Sequence, residues 1–219
     1  MITFNPNCSP LNPIPRGSYT VYPHPKYLSL NLSLNSLMDI LNGMTSAPEY
    51  LFIANGDHVI DITRDESDDE YNEVEINISI TIIGASRERC IVVGGLLVMG
   101  KAEDKVKISD LTVRESKSHG VQGKIASIHL ENVSVEWSGY HGVAVINSKR
   151  NIMKNCNVSH SSMSGVRVMR GSSMTISGID TTIHDNCRDD FDNDTGLCAY
   201  NTRSFIYIVE PLTVDEISY

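Results

Sequence analysis

Three groups of side chains in this sequence have the types and spacing for chemistry. The first is the acid-rich run Asp189-Asp-Phe-Asp-Asn-Asp194, in which Asp190, Asp192 and Asp194 alternate and could offer oxygen ligands to Ca²⁺. Two details depart from a helix-loop-helix calcium loop: Gly196 falls one position too late for the sharp turn, and no Glu closes the loop. The second group is Glu136 with His141, a carboxyl and an imidazole of the kind hydrolases combine. The third is Arg167, whose plainest role is an exposed pair with a neighbouring carboxylate, contributing only ~0–1 kcal/mol. A plain structural reading stands beside each. His119 and His141 each precede a glycine, where a solvated or turn-bonded imidazole is the ordinary case, and the aspartates need only water.

What must position these residues is a repeat running from Lys105 to Thr202. The segments Ile108-Ser-Asp-Leu-Thr-Val113, Leu130-Glu-Asn-Val-Ser-Val135, Met153-Lys-Asn-Cys-Asn-Val158 and Ile176-Ser-Gly-Ile-Asp-Thr181 align, with Asp110, Asn132, Asn155 and Gly178 in one column. The steps along that column are 22, 23 and 23 residues. A second register follows at Gly120-Val121, Gly142-Val-Ala-Val145, Gly165-Val-Arg-Val168 and Gly196-Leu-Cys-Ala199. A fixed period in this range marks a solenoid. Apolar residues alternate within each unit, a strand signal, and each unit is too short for a strand plus a crossover helix. One turn of a parallel β-coil with three short strands fits. The Asp/Asn/Gly column marks a tight corner, since these residues tolerate positive φ. Val121, Val143, Val166 and Leu197 are expected to share one inner wall.

Over about residues 47 to 210 the pattern resembles the right-handed parallel β-helix of the pectin-lyase-like superfamily, with Ser79-Ile-Thr-Ile-Ile-Gly84 as an early coil. The resemblance implies that any active site lies on the outward face of the Gly-Val strands, at Gln122, Ala144, Arg167 and Cys198. The loops 114–119, 136–141, 159–164 and 184–195 would contribute the rest. On that layout a Ca²⁺-dependent lyase would use Arg167 as base and Asp190, Asp192 and Asp194 as ligands. A polygalacturonase-like hydrolase would carry Gly-His-Gly and Arg-Ile-Lys, of which only Tyr140-His-Gly142 is approached here. The fold hosts lyases, hydrolases, epimerases, viral appendages and protein-binding modules, so it does not choose among them.

The flanks divide the chain into an extended Pro/Tyr-rich arm over residues 1–32, a capping helix over 33–46 and the β-helix over 47–219. Six of the eight prolines lie in the first 30 residues, interleaved with Tyr19, Tyr22 and Tyr27, so an arm outside the sheet is expected there. Leu37, Ile40, Leu41 and Met44 have helical spacing, with Ser36 as N-cap. No second capping helix follows the last coil, Ser204-Phe-Ile-Tyr-Ile-Val209, which points to other protein chains as partners at that end and along the arm. Net charge is −9 without a basic block, which disfavours nucleic acid. No apolar run reaches the ~20 residues of a membrane span. The opening Met-Ile-Thr-Phe-Asn-Pro lacks a secretory pattern, so synthesis in the cytoplasm without a signal peptide is expected. Five cysteines, an odd number, suit reduced thiols better than a disulfide framework. The expected function is a non-catalytic structural or binding β-helix within a larger assembly, such as a viral capsid or appendage, with no cofactor. The alternative is a polysaccharide-active lyase or hydrolase, or a carbohydrate-binding protein, using the surface around Arg167 and the Asp-rich loop with Ca²⁺.

Overall fold

The computed structural model describes residues 19–23, 33–64, 70–189 and 195–213. Asp190, Asp192 and Asp194, and most of residues 1–32, lie outside them. The elements are β1 (Tyr19–Tyr22), α1 (Leu34–Asn42), β2 (Tyr50–Ile53), β3 (Gly56–Val59), β4 (Thr63–Arg64), β5 (Glu70–Tyr71), β6 (Glu73–Ile76), β7 (Ile80–Gly84), β8 (Cys90–Val93), β9 (Gly95–Val98) and β10 (Lys105–Arg114). They continue as β11 (Val121–Lys124), β12 (Ser127–Glu136), β13 (Val143–Ile146), β14 (Asn151–Lys154), β15 (Asn157–Ser159), β16 (Val166–Met169), β17 (Ser173–Ser177), β18 (Thr182–His184), β19 (Leu197–Tyr200) and β20 (Phe205–Ile208).

Every pairing except the short β4–β5 hairpin is parallel and joins one coil to the next. The result is an all-β parallel solenoid. One sheet runs β6-β9-β11-β13-β16-β19, and the larger one follows β1-β2-β7-β10-β12-β14-β17-β20. Side branches β3-β8-β10 and β12-β15-β18 give the larger sheet a second limb. Register follows the repeat: Val121 opposes Val143, which opposes Val166, which opposes Leu197. Facing them are the columns Val113-Val135-Val158-Ile183 and Ile108-Leu130-Met153-Ile176, all buried. Each such aliphatic side chain contributes ~1.5–3 kcal/mol on leaving water, enough for a narrow core without large aromatics.

Corners are built by backbone in the left-handed region. Asp110, Asn132 and Asn155 have φ of 58°, 54° and 52°, and Gly178 follows at 92°. Asn132 Nδ2 donates to Asp110 Oδ1 at 2.7 Å, one coil below. A second left-handed column holds Glu115, Trp137, His160 and Asp185, and a third holds Ile125, Asn147, Arg170 and Asn201. The third corner is tied by buried polar groups: Ser148 N donates to Ser172 Oγ, and Asn151 Nδ2 donates to the carbonyls of Ser148 and Ser173.

The flanks differ from the sequence reading in three places. Tyr19–Tyr22, assigned to an arm outside the sheet, is a strand paired with β2, because Tyr-Thr-Val-Tyr is a proline-free run of strand-favouring residues that keeps its backbone N–H groups until Pro23. The helix is capped by Ser33, not Ser36, whose backbone N–H donates to the Ser33 hydroxyl. Starting at Leu34 rotates the apolar stripe: Leu34, Leu37, Met38 and Leu41 are buried, whereas Ile40 is 55% exposed and Met44 lies beyond the helix. Asn35 and Asn42 donate through Nδ2 to the carbonyls of Glu73 and Glu75, fastening α1 along β6. Among the described residues no helix is long and apolar enough to cross a membrane.

The glycine column 120-142-165 shows how tightly the coils stack. A Cβ on Gly142 would collide with Val158 Cγ1 and come within 2.7 Å of the Gly165 carbonyl oxygen. Gly142→Ala is therefore expected to destabilise the fold by ~1–3 kcal/mol through overpacking. At Gly171, with φ 76° but nothing nearer than 3.8 Å, the same change is expected to cost only about 1 kcal/mol of backbone strain. Urea denaturation of the two variants checks this, and equal losses would refute the packing account.

Candidate functional site

The Gly-Val strands carry an outward row in which Gln122 opposes Ala144, Ala144 opposes Arg167, and Arg167 opposes Cys198. The row is vertical, as the repeat requires. Its middle is closed, however: Gln122 is 5% exposed and Ala144 0%. Arg167 spreads its guanidinium over the Tyr200 ring, 5.0 Å from the centroid. His141, at the corner before β13, is buried and stacks on His119 one coil below at 5.3 Å. Burial and the nearby His141 and Lys124 push the His119 pKa down to about 3, so this imidazole is neutral. Burial also raises the Glu73 pKa, which hydrogen bonds from Ser118 and the His119 backbone partly offset. Glu73 escaped the sequence reading because it precedes the regular repeat.

Glu136 does not join this group. It ends β12, in the other sheet, and its neighbours across the coils are Arg114 and Ser159. The structure thus separates the three catalytic candidates: Arg167 and His141 belong to one face and Glu136 to the next. No group of three or more His, Cys, Asp or Glu able to hold a metal exists among the described residues. Cys90, Cys156, Cys187 and Cys198 are all thiols, and burial pushes Cys156 up to about 11.

Glu136 instead lines a groove of about 520 Å³, running across five coils over the second limb of the larger sheet. Along its floor the outward residues Thr112, Ser134, Asn157 and Thr182 stack in register. The last three form a hydrogen-bonded ladder: Asn157 Nδ2 donates to Ser134 Oγ at 3.0 Å, Thr182 Oγ1 donates to Asn157 Oδ1 at 2.8 Å, and Ser134 Oγ donates to Glu136 Oε1 at 2.6 Å, while the Thr112 hydroxyl donates to the Arg87 carbonyl. Charges of both signs border it, Arg87 and Arg114 with Glu88, Asp180 and Glu136. The hydroxyl of Ser86 holds the Glu88 carboxyl below its ordinary pKa, so Glu88 stays ionised.

A stack of rings forms one rim. Trp137 and His160 are parallel at 4.3 Å, and His184 meets His160 edge-on at 6.1 Å. Trp137 and His160 stack because they follow successive strands at the second left-handed corner, which points them the same way, and His184 comes one position before Asp185, their counterpart in the next coil. His184 Nε2 is 3.1 Å from Asn157 Oδ1 and its Nδ1 is 2.7 Å from Asp185 Oδ2, which lowers the Asp185 pKa. Arg188 covers Trp137 at 4.6 Å and donates to the His160 carbonyl. The floor could have been found from the sequence, since Thr112, Ser134 and Asn157 recur at the solenoid step.

A family model described as a right-handed beta helix region matches residues 94–207, just over half of the chain. The chain belongs to the right-handed β-helix family. It is similar in structure to the pectate lyase Pel9A, with 16% identity and a TM-score of 0.48, over 73% of this chain and 51% of that one. The chain thus spans about half the length of that lyase. It is also similar to the A-module of mannuronan C-5 epimerase AlgE6 from Azotobacter vinelandii, with 13% identity and a TM-score of 0.28, over 71% of this chain and 72% of that one. No curated protein matches the sequence.

The half-buried His119 gives this β-helix a signature in its pH dependence. His119 is neutral in the fold down to about 3, whereas the unfolded chain takes up that proton near 6.5. Its contribution to stability is therefore whole above 6.5 and declines as pH falls from there towards 3. His58, lowered mainly by burial, acts in the same direction. Denaturant titrations across that range are expected to show a shallower acid decline in His119→Gln than in wild type. Parallel declines would refute the assignment.

Proposed function

We propose that this protein is a non-catalytic binding β-helix whose ligand surface is the groove over Thr112, Ser134, Asn157 and Thr182. The observation that carries this is the ladder itself. Its side chains are locked to one another from coil to coil, which pre-organises a row of donors and acceptors and spares the ligand their ordering cost. Such a row, bordered by charges of both signs, suits a polyhydroxylated chain, because sugar hydroxyls donate and accept and can bridge an arginine and a carboxylate. A glycan segment lying along the coils is the ligand class this favours.

Catalysis finds less support. A glycoside hydrolase needs a carboxyl kept protonated to serve as acid; burial raises the pKa of Glu73, but that residue lies on β6 in the other sheet, whereas Glu88 in the groove is held in the ionised form. The pair that a hydrolase would combine is divided, Glu136 ending a strand of the larger sheet and His141 stacking on His119 at the corner before β13. An oligosaccharide array followed by calorimetry is the test. His184→Ala and Glu136→Ala are each expected to weaken the best ligand by roughly tenfold or more, with Arg167→Ala neutral and neither reducing ends nor unsaturated product formed. Turnover that disappears in Arg167→Ala would reverse the conclusion.

Membership of a larger assembly is a second reading, favoured by the aromatic surface of the last described coil. Tyr200, Tyr207 and Val209 are exposed there, beside β19 and β20, the outermost described strands of their sheets. Another protein chain continuing the coil would cover these groups. At the opposite end α1 serves as the cap, its asparagines taking up the outward carbonyls of β6 and its leucines shielding the first turn. The arm before it is the other contact proposed for a neighbouring chain. Light scattering on a size-exclusion column is expected to show an oligomer that Tyr207→Ser weakens. A wild-type monomer at every concentration would end this reading.

A further inference from the structure

We infer a second ligand site, for a small multiply charged oxyanion, in the cleft at the third corner of the last coils. The cleft measures about 650 Å³ and is lined by Lys149, Arg170, Gly171, Asn201, Thr202, Arg203 and Phe205. Three of these are cations and none is a carboxylate. Lys149 follows β13, Arg170 follows β16 and Arg203 precedes β20, so three successive coils each contribute one positive charge. None of the three forms an ion pair with a described carboxylate. Elsewhere, by contrast, Lys107 and Lys154 share Glu131, Arg114 meets Asp57, and Lys117 meets Glu70.

The polar lining is set to donate. The Asn201 carboxamide oxygen already accepts from Arg203 N and Ser204 Oγ, which leaves its Nδ2 as a donor beside the Thr202 hydroxyl. Two guanidinium forks, an ammonium, an amide and a hydroxyl match the oxygens of phosphate, sulfate or a polycarboxylate. A net charge of −9 repels a long polyanion from the rest of the molecule, so the site favours a compact ligand. Phe205, exposed and stacked with Tyr207 at 6.0 Å, offers an apolar wall for the body of an organic anion. This site lies apart from the groove and does not depend on the function proposed for it.

Calorimetric titration at low salt with pyrophosphate, sulfate and citrate, each used alone, tests the inference and separates phosphoryl, sulfuryl and carboxylate preferences. At least one is expected to bind, with affinity falling as salt rises. Arg203→Glu is expected to weaken binding by roughly tenfold or more. Arg170→Asn, which removes the charge but keeps a residue that accepts φ near 53°, should do the same without loss of fold. Arg188→Ala, on another face, is expected to have no effect. Failure of all three anions to bind, or binding undiminished in Arg203→Glu and Arg170→Asn, overturns the assignment.

Discussion

The structure depends on one constraint: each coil must satisfy the backbone hydrogen bonds of the coil below it, in parallel and in constant register. A strand of a solenoid has no partner within its own turn, so its N–H and C=O groups are satisfied only if the next turn arrives in line, about 4.8 Å above. The steps of 22 and 23 residues between paired strands are that condition written in sequence. Once it holds, like residues stack on like. Valines fill an inner wall, glycines line a corner where Val135 and Val158 leave no room for a side chain, and asparagine meets aspartate across one step.

That constraint explains why some of the architecture could be read in advance and some could not. The valine column and the Asp110-Asn132-Asn155 corner were legible because burial and left-handed backbone each select a narrow set of residue types. The other two corners are equally left-handed but mix Asp185, Asn147 and Asn201 with Glu115, Trp137, Ile125 and Arg170, residues with no preference for that conformation. At the latter the strands on either side impose the geometry, at a cost of about 1 kcal/mol or more per residue, so local propensity marks these corners only in some coils. The buried Ser148, Ser172 and Asn151 are of the same kind, polar residues made internal by the turn they close. The helix was visible as a helix, but its face turned on whether Leu34 was included.

The site divides along similar lines. Period alone fixes which outward residues share a row, so Gln122, Ala144, Arg167 and Cys198 were correctly aligned. Period says nothing about whether a row is open, and Ala144 is fully enclosed. Nor does it place a residue relative to a corner: Glu136 and His141 are five positions apart, but a left-handed turn at Trp137 sends them to different faces. The groove was overlooked because Thr112, Ser134 and Asn157 are modest residues singly. Their stacking makes them a surface.

A solenoid that stacks equivalent positions favours extended binding over chemistry at a point. Catalysis needs unlike groups converging on one atom, usually with one of them held away from its ordinary ionisation. Repetition supplies the reverse, the same hydrogen-bonding group at regular intervals along a line. The most perturbed imidazole among the described residues, His119, is half-buried against a second histidine rather than aimed into the groove, and its neutrality follows first from burial and then from the neighbouring His141 and Lys124. Across the groove each coil adds one polar rung. The basic cleft obeys the same logic, one cation per coil. On both proposed surfaces a ligand would thus be read by count and spacing along the helix axis, which the fold controls well, and not by a single converging centre.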